Sequence, residues 1–369
     1  MSIGAMKDMW SFFARFFPPP RFLAMPAIGI DISDRSVKYA KLVDRDARRL
    51  LDDFGERLIP EGVLVKGSIQ QTDALAEILR NLKKESGATF IRASLPEEHA
   101  YIFQTSIPED TSPEEIRTAL EFKLEEYVPV PVKDAVFDYE FLLPSPSAPR
   151  RQSDVTVSVY AKGIVAGYLD AFRKAGLMPL SFEVEAQAIA RAVIKERDSG
   201  TYMIVDFGSS RTGIAIFARG ALCFTSTVAI GGEPLSAAIR QYIGAADSEV
   251  NRIKNEQGLR HKDSRDLAMA LLGAVSVLKD EINKHLIYWD AHTDERGDPM
   301  PRIEKIILCG GSSNLAGLSE YLAANLHLPV AIANVWVNAF SFDDVIPELD
   351  RSRSLGFATT VGLALRRDT

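Results

Sequence analysis

At 369 residues, 46% hydrophobic and 25% charged, the chain is too long for one small core and balanced enough to be globular throughout, so two lobes are expected. The net charge of −7 comes with no lysine-rich arm or basic stripe to neutralise a phosphate backbone, which excludes nucleic acid as a partner. Cys223 and Cys309 are the two cysteines, both in apolar runs, and no apolar run reaches the roughly 20 residues that cross a bilayer; buried free thiols in a reducing cytoplasm are expected, not a disulfide framework.

Residues 1–26 read as a leader. It carries a short aromatic patch, Trp10, Phe12, Phe13, Phe16 and Phe17, stopped by Pro18, Pro19 and Pro20. The patch reads either as an interfacial membrane anchor or as a segment that packs on the body. Regular structure begins with an apolar strand at 27–31 that ends in Asp31, then a turn, then an alternating strand at 36–43, which together make a hairpin. Leu75, Ile78, Leu79 and Leu82 fall at helical spacing over 72–82, and strands follow at 89–95 and 99–107. Ser112 is an N-cap before Pro113, Glu114 and Glu115, so a helix runs to about Tyr127 and buries Ile116, Leu120, Leu124 and Tyr127. Strands at 135–143 and 154–161 are joined by a Pro- and Ser-rich surface loop, and a helix covers 163–175. Residues 101–180 thus read as a small α+β subdomain, inserted in a first lobe whose core is 27–100 completed by 181–197.

The second half repeats the opening. An apolar strand from residue 202 ends in Asp206 and a small-residue turn, Gly208, Ser209 and Ser210, and strands follow at 212–217 and 221–228. Helices are expected at 233–243, 248–256 and 266–288, then a polar loop at 293–299. A strand at 305–308 runs into Gly310, Gly311 and Ser312 and a helix at 318–326; a last strand and helix close the chain. The second lobe is read as 198–369, with a helical subdomain at about 232–300.

A strand that delivers an aspartate into a tight turn and returns as a second strand exposes backbone N–H groups, which cradle phosphate oxygens. The aspartate holds a hydrated Mg²⁺, since hard cations carried by nucleotides favour carboxylates and retained waters. Two such hairpins, at Asp31 and Asp206, suggest two lobes clamping one triphosphate. In the third turn, glycines let a flat ligand approach the backbone, and the helix beyond offers free N–H donors. Taken singly, each has a plain alternative: an ordinary hairpin closure, or a left-handed turn between strand and helix.

The order of these three turns, with the inserted unit between the first two, resembles the actin-like ATPases, an α/β, ribonuclease H-like two-lobed fold. Within them it resembles the type IV pilus assembly family PilM and its relative, the cell-division protein FtsA. The most specific stretches are ALEFKLEEYVPVP at 119–131 before FDY at 137–139, and AGLMP at 175–179 before FEVE at 182–185. The resemblance implies that Asp31 and Ser33 belong to the first phosphate turn and Asp206, Gly208, Ser209 and Ser210 to the second. Asp31 and Asp206 would take the metal. Glu185 falls near the metal-bound water, so it and Asp206 are the catalytic candidates. Gly232 begins a helix near the nucleotide, Lys254 lines the nucleoside, and Gly310, Gly311 and Ser312 match the adenosine turn.

The sequence also departs from that pattern. Ser33 stands where relatives carry glycine, which implies either a left-handed strained residue or a loosened loop. Asn251 replaces an acidic residue, Ala186 replaces a proline, and Asp34 adds negative charge beside the first turn. Together these predict nucleotide binding with weak or absent turnover. Arg211 reads as a γ-phosphate contact or a solvated turn residue, and Lys38 as a surface charge. The five histidines have no ligand spacing, and no nucleophile elbow or Walker lysine is present.

The expectation is a cytoplasmic, ATP- and Mg²⁺-binding adaptor of type IV pilus assembly, recruited to the inner face of the cell membrane. Its implied partners are the cytoplasmic tail of a PilN-like inner-membrane protein and the pilus assembly platform, with peripheral membrane contact and self-association left open. The alternatives are an FtsA-like division filament protein and a small-substrate kinase of the same fold.

Overall fold

In the computed structural model, which describes residues 26–45, 48–144, 152–244, 246–260 and 265–367, the run ending in Asp31 is strand β1 (Ala27–Ile32). It is buried on both faces, which is why it reads as a continuous apolar run. β2 (Ser36–Arg45) returns antiparallel with Asp31 opposite Lys38. β3 (Arg48–Leu58) continues the meander; the sequence did not announce it, because this edge strand keeps charged residues on a largely solvated surface. A two-residue pair, β4 (Leu64–Val65) and β5 (Ser68–Ile69), leads into helix α1 (Thr72–Ser86). α1 buries Leu75, Leu79 and Leu82 and ends on Gly87 at φ 63°. It is the crossover that lets β6 (Phe90–Leu95) run parallel to β1.

β7 (Tyr101–Pro108), α2 (Pro113–Tyr127), β8 (Ala135–Phe141) and β9 (Gln152–Ala161) form a separate three-stranded sheet, order β7-β9-β8, with its own core under α2. Ser112 and Glu115 close a reciprocal capping box on α2. α3 (Lys162–Ala175) leads back to β10 (Met178–Val184), which pairs parallel with β6. The chain therefore rejoins the first sheet at Met178, inside the stretch read as insertion. α4 (Glu185–Val193) follows.

The second sheet repeats the first. β11 (Tyr202–Phe207), β12 (Thr212–Ala218) and β13 (Ala221–Val228) form an antiparallel meander. Helices α5 (Glu233–Ile243), α6 (Asp247–Glu256) and α7 (Arg265–Asp290) cross over to β14 (Lys305–Cys309), parallel to β11. α8 (Leu318–Leu326) leads to β15 (Val330–Ile332). The orders β10-β6-β1-β2-β3 and β15-β14-β11-β12-β13 correspond strand for strand, and Asp31 and Asp206 occupy the same next-to-last position in β1 and β11.

The end of the chain departs from expectation. After α9 (Arg351–Ser354), helix α10 (Ala358–Leu365) does not join the second sheet, as a second lobe over 198–369 implied. It packs on the first, with Val361 and Leu365 in one core with Ile28 and Ile30. Glycine makes this possible: a Cβ on Gly29 would lie 2.1 Å from the Thr360 carbonyl oxygen, and one on Gly362 would lie 1.7 Å from that of Ala188 in α4. Buried Glu183 pins the junction through Arg191 at 2.6 Å and Arg366 at 3.0 Å. Arg49 donates to the Leu365 carbonyl at 2.5 Å, satisfying the helix end.

A seam joins the inserted sheet to the second half. Asp154 takes Arg219 at 2.7 Å and Arg296 at 3.1 Å. Glu295 accepts from Tyr127 Oη at 2.6 Å, Thr105 Oγ1 at 3.1 Å and Lys123 Nζ at 3.2 Å. Tyr127 is thus not the core residue its helical spacing implied. Its ring stacks on Phe103 at 4.7 Å while its hydroxyl leaves the insertion for the 293–299 loop. The aromatic patch at 9–17 and most of the Pro- and Ser-rich loop lie outside the described residues.

Two outcomes follow. Gly362→Ala is expected to cost about 1–3 kcal/mol through overpacking at the α4 crossing. Gly273→Ala, where nothing lies within 4 Å, is expected to stabilise α7 by about 0.5–1 kcal/mol; denaturant midpoints of the two variants should move in opposite directions. At the seam, partial burial works to raise the Asp154 carboxyl, but hydrogen bonds from Arg296, Arg219 and Ser106 outweigh it and hold the group below its usual range. A depressed carboxylate contributes stability above its unfolded pKa of about 4, lost as pH falls through the folded value. Asp154→Asn should therefore cost about 1.5–3 kcal/mol at pH 7, with the gap from wild type closing in thermal melts below about pH 4; an equal gap at both pH values would show that the charge is not what holds the seam.

Candidate functional site

The two aspartate hairpins face each other across a cavity of about 600 Å³ between the sheets, within the size range of ligand pockets. Asp31 accepts from Ser94 Oγ of β6 at 2.8 Å, which fixes its carboxylate at the strand end. Asp206 stands opposite Gly213 in β12. Burial, and then the charge of Asp31, push Asp206 up to about 6, against Lys38 and Arg211. A buried carboxylate raised further by a facing carboxylate marks a site short of positive charge.

The second turn is braced from three directions. The Gly208 N–H donates to the Arg211 carbonyl at 3.0 Å, closing the turn, and the Gly232 N–H donates to the Gly208 carbonyl at 3.0 Å. The Glu233 N–H reaches the Ser209 carbonyl at 2.9 Å. Gly232 caps α5, and a Cβ there would lie 2.1 Å from Ser312 Oγ. Gly310, at φ 83°, would put a Cβ 2.4 Å from Asp206 Oδ1, so this position needs glycine for both conformation and space. Gly208, Ser209, Ser210, Gly232, Gly310, Gly311 and Ser312, found separately along the sequence, thus border one cavity.

Ser33 also borders it, but not in the left-handed conformation that its replacement of glycine suggested: Ser33 is not among the positive-φ residues. Its N–H donates to the Ser36 carbonyl at 2.9 Å and its Oγ accepts from the Ser36 N–H at 3.2 Å, so the side chain closes the turn. Asp34 does not crowd the cavity. Its carboxylate turns aside to accept the N–H groups of Lys66 at 3.1 Å and Gly67 at 2.9 Å. Glu185 starts α4 at the cavity wall; burial raises it well above the usual carboxylate range, with Arg211 opposing. Lys254 lines the far side, where burial lowers its ammonium and Glu233 opposes.

Three contributions escaped the sequence reading. Lys38 is not a free surface charge: it lies within the cavity, 5.8 Å from the Phe357 ring and 3.8 Å from Glu56. The signal was the hairpin register, which sets it across from Asp31. Arg35 reaches from the first turn to Ser209 Oγ of the second at 3.5 Å. Residues 352–359 form part of the wall, tied in by Asn314 Nδ2 to the Ser352 carbonyl at 2.7 Å and by the Gly310 N–H to the Leu355 carbonyl at 3.0 Å.

Chemically, the cavity offers the facing carboxylates of Asp31 and Asp206 with Glu185 beside them, exposed turn amides, and cations that include Arg35, Lys38 and Lys254. Among the described residues no group of three His, Cys, Asp or Glu is arranged to hold a metal unaided. The donor set fits Mg²⁺, which takes one or two carboxylates and completes its shell with phosphate oxygens and water.

Comparison with known proteins agrees with this architecture. A chain of the PilM-PilN type IV pilus biogenesis complex is similar with a TM-score of 0.71 at 23% identity, covering 92% of this chain and 98% of that one. The ethanolamine utilization protein EutJ from Carboxydothermus hydrogenoformans gives 0.52 at 16% identity, covering 92% and 89%. MreB 5 of Spiroplasma citri bound to AMPPNP gives 0.50 at 15%, covering 91% and 95%. These likenesses show the fold, that of the actin-like ATPases. The family described as type IV pilus assembly protein PilM matches residues 29–368. That match spans nearly the whole chain, which therefore belongs to the type IV pilus assembly protein PilM family.

Proposed function

We propose that this protein is an ATP-binding adaptor of type IV pilus assembly that works at the cytoplasmic face of the membrane and captures the cytoplasmic tail of a PilN-like inner-membrane protein. The observation that carries the nucleotide reading is the meeting of the two hairpin turns, with Asp31 and Asp206 in equivalent positions, across one cavity. The amides of residues 34–35 and 209–211 would cradle the phosphates, with Arg35 and Lys38 offsetting their charge. Asp31 and Asp206 would hold Mg²⁺, which neutralises phosphate when bound. Lys254 and the turn at Gly310, Gly311 and Ser312 would take the nucleoside. Glu185 lies where it could orient water, yet its burial favours the uncharged form, which fits weak turnover.

The tail reading is supported by the inserted sheet. β8 lies at its edge, paired among the described residues with β9 and carrying exposed Val136 and Phe141. β7, the other edge, has its Ser106 N–H already taken by Glu295 at 3.3 Å. An extended peptide adding to β8 would gain backbone hydrogen bonds and apolar contacts together. No helix among the described residues is long and apolar enough to cross a membrane; in this reading membrane recruitment comes through the partner. An FtsA-like reading calls for an amphipathic membrane helix, a role α10 itself does not fill, being buried along its whole length.

Calorimetric titration should show ATP binding in the presence of Mg²⁺, weakened at least about tenfold, or 1.4 kcal/mol, in Asp206→Ala; a wild type that does not bind, or a variant that binds as well, removes the nucleotide reading. A double variant, Val136→Ser with Phe141→Ser, should lose affinity for a PilN-like tail peptide in fluorescence anisotropy while still binding nucleotide. Equal peptide affinity would move the capture site away from β8.

A further inference from the structure

Arg211 lies in the second turn, yet its guanidinium is committed to three carboxylates from outside the second sheet. It pairs with Glu98, with Asp34 at 3.5 Å and with Glu185 at 3.8 Å. The three sit on different pieces of the first half: Asp34 in the first turn, Glu185 at the start of α4, and Glu98 in the short turn that joins β6 to β7. That last turn is the root of the inserted unit.

The root is wedged tightly. Glu97 accepts from Thr225 Oγ1 of β13 at 2.9 Å. A Cβ on Gly213 would lie 3.0 Å from Glu97 Oε2, and one on Gly67 would lie 2.4 Å from Pro96 Cβ. A second route reaches the insertion from the same cation: Asp34 accepts the Gly67 N–H at 2.9 Å, and the Gly67 carbonyl accepts from Tyr168 Oη of α3 at 2.9 Å. Glu98 Oε2, meanwhile, is buried with no hydrogen-bond partner. A buried acceptor left unpaired is costly, so the pairing of Glu98 with Arg211 is incomplete in this pose.

We propose that Arg211 and the turn at Pro96, Glu97 and Glu98 form a joint through which occupancy of the cleft by a nucleoside triphosphate reaches the inserted unit. This rests on the nucleotide reading above. A phosphate arriving at the second turn is a strong bidentate acceptor for a guanidinium and competes with Glu98 for Arg211. Once Arg211 turns to phosphate, Glu98 loses its cation, and the root of β7 and the contact with α3 loosen together. Linkage makes the coupling reciprocal: whatever removes the charge of Glu98 strengthens phosphate binding.

The test uses the full chain, wild type and Glu98→Gln, with ATP affinity in Mg²⁺ read by calorimetry and amide exchange read by mass spectrometry with and without ATP. Glu98→Gln is expected to bind ATP about 5-fold or more tightly than wild type, a change that a merely structural Glu98 would not produce. Its exchange at 97–107 and 162–175, without ATP, should match what wild type reaches only with ATP. Wild-type affinity and wild-type exchange in Glu98→Gln would overturn the proposal. So would wild-type protein that binds ATP with no change at those segments. If wild type binds no ATP, the nucleotide reading falls separately, and the exchange of ATP-free Glu98→Gln still decides whether Glu98 holds the root. Thr225→Val, which removes only the hydroxyl holding Glu97, supplies the same exchange readout should Glu98→Gln fail to fold; unchanged exchange there counts against the joint.

Discussion

Helices α4 and α10 cross so closely at Ala188 and Gly362 that no side chain fits between them, and this contact seats the last helix on the first half through α4, a helix that also reaches the second sheet. α4 follows directly from the first sheet and also touches β12 and β13 of the second. α10 lies across β1 at Gly29 after arriving from the far end of the chain. Helices of Ala, Gly, Thr and Val can approach this way because their side chains are short, and dispersion over many close contacts offsets the small apolar area of each residue. The result is a pair of sheets held by small-residue helices, with their two aspartate turns facing one another.

That geometry creates an electrostatic problem at the cleft. Asp31, Asp206, Glu185, Glu97 and Glu98 gather around it, and burial disfavours charge on the deepest of them. Arg211 and Lys38 supply the nearest compensation within the protein. A site with more carboxylate than cation has use for a divalent metal, and a metal shared with phosphate oxygens supplies positive charge at the point of deficit. The arrangement that suits Mg²⁺-bound nucleotide therefore follows from the same packing that brings the halves together.

Much of this was legible in the sequence because it depends on local signals. An apolar run ending in aspartate, repeated at Asp31 and Asp206, gave the paired hairpins, and Gly310 marked the third turn. Ser112 and Pro113 announced α2. What stayed hidden depends on long-range contacts. β3 carries no apolar run, since it sits at a solvated edge. α10 reads as a generic core helix, and nothing local says which sheet it covers. Tyr127 sits at a core position of its helix, yet Glu295, distant in sequence, claims its hydroxyl. Asp34 and Ser33 were misjudged for a similar reason: their partners, the Lys66–Gly67 amides and the Ser36 backbone, decide where their oxygens point. Lys38 needed the pairing register before its place opposite Asp31 could be seen.

The central claim is that the two hairpins are halves of one nucleotide site, and a crystal structure of the protein grown with a non-hydrolysable ATP analogue and Mg²⁺ tests it most directly. The account predicts phosphates between residues 33–36 and 208–211, a metal beside Asp31 and Asp206, and the base against the turn at Gly310. Analogue bound elsewhere, or turns that keep their place with no ligand between them at saturating concentration, would contradict it.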